Sequence, residues 1–111
     1  MRYNYKNPDN CPVTKIMSVV GGRWKFIILY TLRASPKRFG QINQFIPSIS
    51  NKVLTEQLRE LEEDGIIERR VLTDRIPVNV EYNLSEKGKA IIPILALMEA
   101  WGQEEDVTPN T

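Results

Sequence analysis

Histidine is absent from this chain of 111 residues. Its absence removes the commonest general base and metal ligand, and every catalytic triad built on an imidazole. Cysteine occurs once, at Cys11, which excludes an intramolecular disulfide and any multi-cysteine metal site. No run approaches the roughly 18 uninterrupted apolar residues of a membrane span. The opening residues are too polar for a secretory signal, so a cytoplasmic location is the expectation. A phosphate-cradling glycine loop is also missing. Gly21-Gly22 lacks nucleotide-motif spacing and fits a helix stop better. The sequence therefore offers no catalytic residues, no metal ligands and no cofactor motif, and points away from an enzyme.

What is present is an ordinary folding composition, 41% hydrophobic and 26% charged, in a length that suits one domain. The net charge of +1 conceals an asymmetry. Residues 1–52 hold nine bases and one acid, a net +8, whereas residues 53–111 carry a net −7. Such a division suits a molecule that turns one surface toward an anionic polymer, or one whose halves pair with each other in the fold.

Residues 1–10 are polar and read as an arm, residues 11–105 as the domain, and residues 106–111 as a tail. Pro12 suits the first turn of a helix over residues 13–20, stopped by Gly21-Gly22. A second helix is expected over residues 23–33, with Trp24, Ile27, Ile28 and Leu32 on its apolar face. A short third helix over residues 39–45 turns Phe39, Ile42, Phe45 and Ile46 inward, and Pro47 ends it. Ser50 is a candidate N-cap for a stronger helix over residues 51–64, with Leu54, Leu58 and Leu61 on one face and Gly65 behind it. The period then falls to two. Val78, Val80, Tyr82 and Leu84 alternate with polar residues in a strand whose hairpin partner is 66–72. Residues 73–77 join the strands, and Pro77 suits a strand's first residue. Ser85 caps a last helix over 86–105, which Pro93 should kink.

A short helix, a brief turn, a longer helix and a two-stranded hairpin make a winged helix-turn-helix, a mainly α fold with a small β wing and flanking helices. The longer helix has a DNA-reading first turn: Ser50, Asn51, Lys52 and Thr55. Asn suits adenine, Lys suits guanine or phosphate, and Thr suits the thymine methyl. Arg59, one turn on, suits phosphate. Lys37 and Arg38 stand before the third helix as phosphate clamps, and Arg75 at the wing tip suits a narrow minor groove. The acids of the same helix, Glu56, Glu60, Glu62, Glu63 and Asp64, would be repelled by DNA, so its far half should face away. A winged-helix module that binds protein instead of DNA is the alternative. It would call for an acidic or apolar reading face, which Asn51, Lys52 and Thr55 do not provide.

Cys11 sits at the expected N-cap of the first helix. There the unpaired amides and helix dipole favour thiolate, and Lys15 should act in the same direction. It is a candidate redox sensor or simply a small buried capping residue. The last helix carries Ile91, Ile92, Ile94, Leu95, Leu97, Met98 and Trp101, more apolar surface than one narrow stripe. Burial in the chain's own core and burial against a second copy both account for this.

The sequence resembles the HxlR-type winged-helix regulators, relatives of the MarR group. The resemblance rests on Cys11-Pro12-Val13, Gly21-Gly22-Arg23-Trp24, Arg38-Phe39, Ile49-Ser50, Leu54-Thr55, Asp64-Gly65-Ile66-Ile67, Val80-Glu81-Tyr82 through Gly88, and Trp101-Gly102. It spans about residues 11–103. It implies a homodimeric transcription factor on a pseudo-palindromic double-stranded DNA operator, dimerised through its N- and C-terminal helices. Ile91, Leu95, Met98 and Trp101 are the interface candidates. It also implies oxidant or electrophile sensing at the cysteine position that Cys11 matches.

Overall fold

The hydrophobic periodicities resolve into five helices and one hairpin in the computed structural model, which describes residues 7–73 and 75–105. The helices are α1 (Pro12–Val20), α2 (Lys25–Thr31), α3 (Phe39–Phe45), α4 (Asn51–Glu63) and α5 (Glu86–Glu104). The strands are β1 (Ile67–Thr73) and β2 (Asn79–Leu84). Residues 8–10 form a single 3-10 turn before α1. The expected arm at residues 1–6, the tail at 106–111 and Asp74 lie outside the described residues.

The sequence dictates each boundary. Ser50 Oγ accepts from the Val53 N–H at 3.1 Å and starts α4. At its other end, the Gly65 N–H donates to Glu62 O and the Ile66 N–H to Leu61 O. This paired closure needs a left-handed residue between them, and Gly65 supplies it at φ +74°. Ser85 Oγ caps α5 by accepting from Gly88 N, and its single proton is shared between the carbonyls of Gly65 and Ile66. One serine hydroxyl thus joins the end of α4 to the start of α5. Gly88 must be glycine there, because a Cβ would collide with the Ile66 carbonyl oxygen.

The core is one cluster. Ile28 and Leu29 from α2 and Leu32 at its C-cap meet Ile42 and Ile46, the stripe Leu54, Leu58 and Leu61 of α4, Ile66, Ile67, Leu84 and Leu95. The strands pair antiparallel from Ile67↔Leu84 to Val71↔Val80, and an extra residue, Leu72, is inserted before Thr73↔Asn79. Such a bulge increases the local twist of the wing. Lys37 adds a third short rung by exchanging both backbone hydrogen bonds with Tyr82, at 2.9 and 2.8 Å. The wing is therefore tied to the segment that leads into α3.

An ion pair with one buried end ties α4 to the core. Lys25, the first residue of α2, is buried, and its Nζ lies 2.7 Å from Glu60 Oε1 on α4. Lys25 is in phase with Ile28, Leu29 and Leu32, which carries it inward. The hydrogen bond from Lys25, reinforced by its charge, holds the Glu60 carboxyl below the usual carboxylate range.

Four expectations change. Helix α2 is shorter than residues 23–33, because Gly22 turns at φ +87° and Trp24 becomes the N-cap. Phe45 is 65% exposed, not inward; α3 ends there and Ile46 takes the core position. Pro77 and Val78 precede β2, which begins at Asn79. Leu95 is fully buried in the chain's own core. Pro93 lies inside α5, where its missing N–H leaves one helical hydrogen bond unmade.

Gly88→Ala is expected to lower stability by about 1–3 kcal/mol, since the clash with backbone outweighs the roughly 1 kcal/mol helix-propensity gain. A drop in the urea midpoint checks it. Glu60→Ala leaves the largely buried Lys25 ammonium without its partner and should lower the urea midpoint. Lys25→Met leaves a more accessible carboxylate, which water can solvate, and should lower the midpoint less. The pair's contribution exists above the ordinary glutamate pKa of about 4.3 and fades as pH falls through the lower folded value. The stability gap between wild type and Lys25→Met should therefore shrink below about pH 4.

Candidate nucleic-acid interface

With Leu54, Leu58 and Leu61 buried, the rotation of α4 is fixed and its first turn faces solvent. Ser50, Asn51, Lys52 and Thr55 are all exposed there. The Ser50 hydroxyl is committed to its cap as acceptor, which leaves its proton free to donate outward. Thr55 Oγ1 donates to the Asn51 carbonyl at 2.8 Å, so the methyl is the group it can offer to a partner. Asn51 and Lys52 make no side-chain hydrogen bond or ion pair among the described residues. Arg59 is exposed one turn further along. Glu62, Glu63 and Asp64 gather at the opposite end of the helix.

The remaining bases occupy two other places. Lys37 is half-buried, its backbone in the rung with Tyr82 and its Nζ 2.7 Å from Ser35 Oγ. Arg38 is exposed at the N-cap of α3, where its N–H donates to Gln41 Oε1. Arg75 is exposed in the wing loop, its N–H donating to Thr73 Oγ1. Arg69 and Arg70 lie exposed along β1, opposite Tyr82 and Glu81, and form no ion pair among the described residues.

Cys11 is buried and caps α1 in extended backbone, φ −76° and ψ 127°. Its thiol makes no full side-chain cap hydrogen bond. The Thr14 amide nonetheless draws its pKa down, against the opposing effect of burial, with help from the Val13 amide and Thr14 hydroxyl. The helix amides supply this effect, and the Lys15 ammonium expected to assist them is not among its causes.

On α5, Leu97 is 74% and Trp101 60% exposed, with Ile94 and Met98 beside them. Val13 and Met17 on α1 are exposed as well. Ile91 is half-buried against the core. Leu95, expected at an interface, has no surface left to bring to one. Tyr30 Oη donates to Glu99 at 3.0 Å and links α2 to the outer part of α5, while Arg33 lies over its ring at 4.2 Å. That contact raises the Tyr30 pKa, chiefly through the hydrogen bond to Glu99.

Two positioning devices escaped sequence reasoning. Lys25–Glu60 spans 35 residues, and only the apolar phase of Lys25 hinted at it. The Lys37–Tyr82 rung is backbone pairing and leaves no signature in residue type.

Comparison with known proteins agrees with this geometry. The family model for HxlR-like helix-turn-helix proteins matches residues 19–108. The uncharacterized HTH-type transcriptional regulator YybR of Bacillus subtilis (strain 168) is 43% identical over 99 residues, covering 89% of this chain and 78% of that protein. The redox regulator HypR in its oxidized form superposes with a TM-score of 0.80 at 42% identity, covering 88% of this chain and 100% of the other. Diamide-treated YodB from B. subtilis gives a TM-score of 0.72 at 41% identity, covering 88% and 97%. No helix among the described residues is long and apolar enough to cross a membrane. The fold and the relatives are those of transcription regulators and not of enzymes. The chain belongs to the HxlR-like helix-turn-helix family and is a transcriptional regulator of the HxlR/MarR type.

Proposed function

We propose that residues 11–105 act as a sequence-specific DNA-binding unit, working as a homodimer on a pseudo-palindromic operator. The observation that carries this is the first turn of α4. Its Asn51 amide, Lys52 ammonium and Thr55 methyl stand outward without partners, while Glu60, Glu62, Glu63 and Asp64 lie in the far half of the helix and Glu56 beside Thr55 is half-buried. This turn can meet base edges in the major groove with the acidic end held away from phosphate. Arg38 and Arg59 supply backbone contacts, and Arg75 enters the minor groove beside them. The half-buried Lys37 contributes its Nζ at the edge of this surface.

The apolar surface of Ile94, Leu97, Met98 and Trp101 supports pairing with a second copy. Two-fold pairing sets the two α4 helices about 34 Å apart, one turn of the duplex. Met98 and Trp101 are its interface residues, with Ile91 at the edge.

Cys11 is the proposed redox switch. Its thiol is favoured as thiolate by the α1 amides, and two structural relatives are described as a redox regulator and as a diamide-treated protein. With one cysteine per chain, oxidation couples Cys11 to a second copy or to a small thiol; an electrophile alkylates it. Cytoplasmic residence follows from this role.

Affinity for an operator selected from a random DNA pool should fall steeply with KCl, and Lys52→Ala should weaken it by about 5- to 100-fold. Flat salt dependence with no preference for any duplex would favour the protein-binding alternative. Diamide or a quinone should reduce operator affinity of wild type and leave Cys11→Ser unaffected. Equal loss in both would remove Cys11 from the switch.

A further inference from the structure

The wing carries an apolar surface that the contacts assigned above do not use. Ile76 is 96% exposed, the highest value among the exposed large hydrophobics of the described residues. Pro77 and Val78 after it are exposed too. Isolated exposed hydrophobics are ordinary, but three in succession on a projecting loop form a patch. The patch does not end at the tip. Pro77 and Val78 continue into a cleft of about 470 Å3 between the wing and the start of α3, walled by Phe39 and Val80 and rimmed by Arg38 and Thr73. Arg38 forms no ion pair among the described residues.

The lining constrains the occupant. A bare phosphate would match Arg38 and waste the apolar walls. An apolar side chain would match the walls and leave the guanidinium unanswered. A sugar–phosphate strand offers both, a deoxyribose face beside an anionic oxygen. The cleft is also continuous with the proposed DNA surface, because Arg38 begins the helix that turns into α4.

We propose that this cleft seats one sugar–phosphate strand at the border of the minor groove. The deoxyribose packs on Phe39, Val78 and Val80, its phosphate meets Arg38, and Ile76 presses into the groove as an apolar wedge beside Arg75. This rests on the DNA-binding reading above. Apolar wedges part base steps most easily at flexible pyrimidine–purine steps, so the wing reads deformability where it makes no base hydrogen bond. Ile76 is then a specificity-determining residue for the flanks of the operator.

The test combines hydroxyl-radical footprinting with a KCl titration on a selected operator, using wild type, Ile76→Ser and Arg38→Ala. Ile76 is exposed, so the serine variant should keep the wild-type melting temperature. Wild type should protect deoxyriboses bordering the minor groove outside the α4 contacts. Ile76→Ser should lose that protection and about tenfold in affinity with an unchanged salt slope, since no phosphate contact is removed. Arg38→Ala should lower the slope by about one. Wild-type binding with flank protection and affinity unaltered in Ile76→Ser would overturn the proposal and leave the cleft to a small anion or a second copy. Failure of wild type to prefer any duplex would instead remove the DNA-binding reading, and the wedge with it.

Discussion

Leu54, Leu58 and Leu61 leave α4 a single way to lie on the core. Burying three leucines along one stripe stabilises that arrangement by several kcal/mol, on the order of 2 kcal/mol each. Any other rotation would return part of this surface to water. The constraint decides what the helix can show: Asn51, Lys52 and Thr55 outward at one end, a group of carboxylates at the other. The Lys25–Glu60 pair adds direction to this packing. Apolar contact tolerates sliding along the helix axis, whereas an ion pair with one buried end does not. The closure at Gly65 and the Ser85 hydroxyl then fix where the wing and α5 depart.

Around this helix the chain repeats one device, in which a backbone end is satisfied by a neighbouring element. Ser85 serves the α4–β1 turn and the start of α5 together. Lys37 pairs with Tyr82 and makes the approach to α3 an edge of the wing. Tyr30–Glu99 ties the core to the outer length of α5. These links join the surface proposed for DNA to the surface proposed for a second copy.

Much of this was legible in the sequence because the signals were local. Ser50 and Gly65 bracket α4, alternation marks β2, and the order of elements yields the winged helix-turn-helix. The unpartnered first turn of α4 also follows from spacing once the leucine stripe is recognised. Features that depend on distant residues were not legible. Leu95 shares the apolar character of Trp101, and only the packing of α5 on the core separates buried from exposed. Phe45 has the right phase for burial, but its helix ends at that residue. The ion pair joins the basic first half of the chain to the acidic second half, across 35 residues. The exposure of Ile76 depends on how the wing loop projects, which residue type alone does not specify.

The central claim is that two copies set paired α4 helices into successive major grooves. Dimethyl sulfate protection on the selected operator, with the protein-to-duplex ratio measured in the same complex, tests it most directly, since guanine N7 lies in the major groove. The account predicts two chains per duplex and two groups of protected guanines centred about 10–10.5 base pairs apart. One chain per duplex with a single protected group would contradict it.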